Sequence, residues 1–74
     1  MKKINKEVEI KFDDEINDGY ISLKQIKPGE SVSTEGFILE SNGCHLIIDL
    51  DKDNRILGFE LLEAKNALPL DLIE

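Results

Sequence analysis

Residues 37–62, FILESNGCHLIIDLDKDNRILGFELL, decide the fold. Gly36–Ser41, Cys44–Leu50 and Arg55–Leu62 are each short, apolar and rich in β-branched or aromatic residues, which is the composition of strands. Asn42-Gly43 between the first two is a strong two-residue hairpin signal, because both central positions of a type I′ turn need left-handed backbone. Asp51-Lys52-Asp53-Asn54 turns the chain again. In the last strand Leu57, Phe59 and Leu61 alternate against Ile56 and Leu62. In the strand before it Leu46 and Ile48 oppose Ile47. The reading is a sheet apolar on both sides, and an antiparallel sheet normally wets one. A neighbour is therefore expected on the second side, with Ile47, Ile56 and Leu62 as its contacts.

Working toward the N-terminus, Val8, Ile10 and Phe12 alternate with Glu9 and Lys11, a strand with one wet face. Asp13–Gly19 is rich in turn formers, and Tyr20–Lys24 is a second strand joined to the first as a hairpin. Pro28-Gly29 turns the chain, and Ser31–Thr34 form an edge strand or a lead-in. Residues 1–7 are polar and expected to fray. Toward the C-terminus, Leu68–Ile73 suit a short helix with Pro69 in its first turn, so residues 63–74 are assigned to covering the sheet. Gly19, Gly29, Gly36, Gly43 and Gly58 leave no room for a long amphipathic helix. The expected architecture is one mainly β domain over residues 1–74, a small antiparallel meander of about five strands with a short C-terminal helical turn, and dimeric.

Composition narrows the functions. The chain has 74 residues, nine Lys plus Arg and 16 Asp plus Glu, a net charge of −7. Direct nucleic-acid binding is disfavoured by that sign. A chain this short builds a core worth only a few kcal/mol, about 3–5 at most, and the usual supports are a disulfide, a metal or a partner. Cys44 is the one cysteine, so no internal disulfide forms and a cytoplasmic, reducing setting is expected. No apolar run suits a membrane span, and no apolar stretch follows Met1-Lys2-Lys3-Ile4, as a signal peptide would require. A second copy of the chain is the expected support.

The acids have two readings. Asp49, Asp51, Asp53 and Glu60 fall at ligand positions of a calcium loop, but the flanks alternate as strands, so an acidic β-turn is preferred. Asp13, Asp14, Glu15, Asp18, Asp51 and Asp53 form a candidate surface for a basic protein partner, as in an immunity or antitoxin protein that masks a toxin. Cys44 and His45 are neighbours in a strand and point to opposite faces, so they make no nucleophile pair. Cys44 reads as a small buried hydrophobe. No catalytic set, metal site or cofactor is expected. Glycines within strands, Gly36 and Gly58, are expected to mark bulges or close backbone approach.

Two segments, Phe12–Leu23 and Ile48–Ala64, carry a likeness. Phe12, Asp13, Glu15, Tyr20 and Ile21, then Asp49, Asp51, Asp53, Gly58, Glu60 and Ala64, follow the pattern of the DUF2283 family, which the chain resembles over about residues 8–66. Departures are Asp14 for a proline, Asn17 for an acid, Gly19 for an apolar residue, Asn54 for the turn glycine and Phe59 for an aliphatic residue. The resemblance implies a small β domain, often a dimer, and no known activity.

Overall fold

The computed structural model describes residues 1–74. Five strands, β1 (Glu9–Asp13), β2 (Asp18–Ser22), β3 (Ser33–Ile38), β4 (His45–Leu50) and β5 (Ile56–Leu62), form one antiparallel sheet in the order β1-β2-β5-β4-β3. A 3-10 turn (Ala64–Asn66) and one helical turn, α1 (Leu70–Ile73), follow. The five strands and the terminal helical turn agree with the sequence reading. The continuous meander does not. β1–β2 and β3–β4–β5 are each local, but β5 returns to lie beside β2, and residues 23–32 carry the chain from β2 past the end of the sheet to its far edge. That crossing is pinned at both ends: Leu23 N–H donates to Leu57 O at 2.9 Å, and Val32 N–H to Leu50 O at 2.9 Å.

The turns obey their residues more than their expected types. No type I′ turn forms at Asn42-Gly43. Leu39 N–H donates to Cys44 O, and Gly43 N–H donates back to Leu39 O at 2.8 Å, so the connection spans four residues. Gly43 alone is left-handed there, at φ 74. Asn42 spends its side chain on Cys44 N–H at 2.9 Å, an Asx arrangement that holds the wider loop. Asn54 takes φ 62 after Asp51, whose carboxylate accepts both Asp53 N–H and Arg55 N–H at 2.9 Å. Those bonds, Arg55 N–H foremost, hold the Asp51 carboxyl below its ordinary range. Asp51 is turned onto its own backbone.

Directly paired residues share a face of the sheet. On one face lie the rows Phe12–Gly19–Leu61–Leu46–Phe37 and Ile10–Ile21–Phe59–Ile48–Glu35. On the other lie Asp13–Asp18–Leu62–His45–Ile38, Lys11–Tyr20–Glu60–Ile47–Gly36 and Glu9–Ser22–Gly58–Asp49–Thr34. The sheet is thus apolar on one side and mixed on the other. The expectation of two apolar sides fails because β4 and β5 sit among strands whose wet-face residues are Tyr20, Lys11 and Ser22, and because Glu60 and Asp49 share that face.

The core occupies one end of the apolar face. Cys44 and Ala64 are fully buried and Leu61 is 7% exposed; Phe12, Leu46, Phe59, Ala67 and Leu68 pack around them. Gly19 makes room for this segment, since a side chain there would meet the Ala64 Cβ at 3.2 Å. Asn17 clamps it. Its carbonyl accepts Glu63 N–H and Ala64 N–H, its side-chain oxygen accepts Lys65 N–H at 2.8 Å, and its amide donates to the Glu63 carboxylate. Of residues 63–74, Ala64, Ala67 and Leu68 pack against the sheet, whereas Leu70 and Leu72 of α1 stand in solvent.

Candidate functional site

Two surfaces stand out, one on each side of the sheet. The mixed face centres on Tyr20. Its hydroxyl donates to the Asp49 carboxylate two strands away. To reach it, the ring crosses Gly58, where a Cβ would stand 2.8 Å from the ring and 2.9 Å from the hydroxyl oxygen. Gly58 is thus the close approach that its place in a strand predicted, and the ladder also shifts register beside it, between Asp49 and Leu50. Burial first, then the Asp49 bond and the charges of Asp49 and Glu60, push the Tyr20 hydroxyl up to about 12. Tyr20 is therefore a neutral donor throughout the physiological range.

Glu60 lies between Tyr20 and Ile47 in the register. No cation answers it: the ion pairs of the chain are Lys11–Glu9 and Lys24–Glu30. Burial, then Asp18 beside it, then the Asp49 charge raise the Glu60 carboxyl above its ordinary value. One oxygen of Asp18 is itself out of solvent with no hydrogen-bond donor. The folded state therefore favours protonated Glu60. This contribution to stability is complete below the ordinary glutamate value and is lost as pH rises through the raised one. Glu60→Gln, which keeps the shape and removes the charge, is expected to unfold at higher urea than the native chain at neutral pH. The gap closes as pH falls below the ordinary carboxyl range. Equal urea midpoints at both pH values would refute the assignment.

The sequence-predicted acids do not make one surface. Asp13, Asp14, Glu15 and Asp18 lie at the β1–β2 turn, and Asp51 and Asp53 at the β4–β5 turn. Because β5 runs antiparallel to β2, with Asp18 opposite Leu62, these turns sit at opposite ends of the sheet. Nor do Asp49, Asp51, Asp53 and Glu60 gather as metal ligands; no group of three or more His, Cys, Asp or Glu side chains is placed to hold an ion. Cys44 is buried among apolar groups, which pushes its thiol up, and His45 faces the other way. Ile47 and Leu62 do share a face, but with Glu60, Asp18 and Tyr20 between and around them. Ile56 is 45% exposed at the register shift. What sequence reasoning missed is the Tyr20–Asp49 bond. Its signal was a glycine two residues from the partner of a tyrosine.

The apolar face is the second surface. Residues 64–68 shield only its Gly19–Leu61 end. Ile10, Ile21, Ile48 and Phe59 remain half-buried, and Leu23 and Phe37 are 43% and 51% exposed. Leu57 at the other end of the face is buried as well, but only six of 74 residues are, so the stretch between the two ends is a core wall without an opposite wall. No helix is long and apolar enough to cross a membrane.

The model of the family described as "Protein of unknown function (DUF2283)" matches residues 9–65, from the start of β1 to the 3-10 turn. No curated protein and no solved structure matches the chain.

Proposed function

The chain belongs to the DUF2283 family, a membership that brings no activity with it, and from that premise we propose that it is a non-catalytic β domain that works as an association of its own copies, apolar face against apolar face. The carrying observation is area. The single chain exposes 5942 Å², against about 4600 Å² for a compact monomer of its mass. Residues 1–8, all exposed, supply part of the excess. The rest is of the order that one partner contributes to a standard interface, about 800 Å². A homodimer through the mixed face has less support, since it would bury Asp18 and Glu60 with no cation paired to either. A cytoplasmic setting is supported by the single, buried, unpaired thiol of Cys44. The masking of a basic partner by the six turn acids has less support, because they are divided between two ends of the sheet.

Leu23→Lys tests the reading. Leu23 is 43% exposed in the single chain, so lysine there costs the fold little, yet it places a charge in the proposed interface. The native protein is expected to sediment as an assembly at micromolar concentration, and the variant to lose the face-to-face contact, a shift of at least tenfold in dissociation constant. A native chain that sediments as a folded monomer at high micromolar concentration rejects the proposal.

A further inference from the structure

We propose that β3 is a second interface, at which two copies pair edge to edge and extend the sheet through both molecules. It goes beyond the face-to-face association and uses other atoms. β3 is the outer strand on its side, and all six of its residues are exposed. Leu39 N–H bonds to Cys44 O, and the ladder alternates from there, so Glu35 and Phe37 bond inward to β4 while Thr34, Gly36 and Ile38 turn their N–H and C=O groups outward. Outer strands are usually protected by charges, proline or bulges. The other edge, β1, carries Glu9, Lys11 and Asp13 within five residues. β3 carries only Glu35 among Ser33–Ile38.

The occupant that fits is a second copy of this strand. A two-fold axis at Gly36 sets Gly36 opposite Gly36, Thr34 opposite Ile38 and Glu35 opposite Phe37. Every outward N–H and C=O then finds a partner, and the two Glu35 carboxylates are kept apart. Phe37 of each copy lies beside that axis on the apolar face, with Glu35 of the other copy across from it. The axis is perpendicular to the sheet, whereas the axis of face-to-face packing lies parallel to it. Where the in-plane axis crosses the perpendicular one beneath Gly36, the two close a tetramer of dihedral symmetry rather than an open fibre.

Gly36→Asp is the test. A Cβ at Gly36 meets only ordinary contacts, His45 Nε2 at 3.6 Å and Leu46 O at 3.9 Å, with no left-handed backbone to strain. The fold therefore tolerates it, while the axis would bring two carboxylates together. The expected result is a native tetramer that the variant halves, with the Gly36 and Ile38 amides slow to exchange with deuterium in the native protein and at least tenfold faster in the variant. Ile38→Pro, which deletes an outward donor at a residue 67% exposed, gives the same halving if the aspartate variant proves unstable. Leu23→Lys leaves the edge-paired dimer with its slow amides. Fast amide exchange at Gly36 and Ile38 in the native protein, or an unchanged mass in both edge variants, overturns the edge proposal. Loss of assembly in the edge variants with no effect of Leu23→Lys upholds it and rejects the face-to-face reading instead.

Discussion

Gly58→Val is expected to leave the chain largely unfolded at room temperature, and Gly58→Ala to come close. A Cβ at this position would stand 2.6 Å from the Ile21 carbonyl oxygen and 2.8 Å from the Tyr20 ring. The carbonyl belongs to the neighbouring strand of the ladder and cannot step aside without breaking the β2–β5 pairing. Overpacking of this kind costs about 1–3 kcal/mol and more where backbone must move, and a domain of this size has only about 3–5 kcal/mol to lose. The effect is steric, since Gly58 does not hold left-handed backbone. Urea unfolding followed by far-ultraviolet circular dichroism measures it. Placing Gly58→Ala in a Tyr20→Ala background should reduce its cost without removing it, because the ring leaves and the carbonyl stays. A Gly58→Ala protein as stable as the native one would show that the close approach is not real.

Leu57→Ala carries the next largest effect. Leu57 is 2% exposed, the largest side chain buried to that degree. Its removal leaves a hole at the end of the apolar face that residues 64–68 do not reach. Large-to-small changes of this type cost about 2–5 kcal/mol, again comparable with the whole stability of the domain. The neighbouring Ile56, 45% exposed, provides the contrast: Ile56→Ala should cost well under half as much in the same urea titration. Equal losses at the two positions would refute the difference in burial on which the contrast rests.

Strand content was legible because it rests on local pattern. Alternation in residues 8–12 and 56–62, and the turn residues between, mark strands whatever they pair with. Burial of Cys44 and the partial exposure of His45 followed from the same period of two. Strand order was not legible, because nothing local in β2 or β5 states that they are neighbours; their pairing is written in Gly58, Tyr20 and Asp49 jointly, three residues of different segments. The same holds for the character of the second face. Ile47, Ile56 and Leu62 read as apolar in their own strands, and only the register reveals Tyr20, Glu60 and Asp18 beside Ile47 and Leu62 and, past the shift, Leu50 across from Ile56. Asn17 looked like turn composition, and its four bonds to residues 63–65 carry no sequence mark beyond the amide itself. The hairpin at Asn42-Gly43 opened to four residues because Asn42 bonds Cys44 rather than taking left-handed backbone.

The order β1-β2-β5-β4-β3 also has a consequence in time. β3, β4 and β5 join through short connections and can assemble as soon as they meet, as can the β1–β2 hairpin. Uniting the two requires closing the loop of residues 23–32 between them, whose entropy must be met before any β2–β5 bond repays it. Docking of the two halves is therefore the step expected to limit folding, visible as a slow phase after the local pairs have formed. During that wait β5 has one bare side, and the residues that end the wait are Tyr20, Gly58 and Asn17.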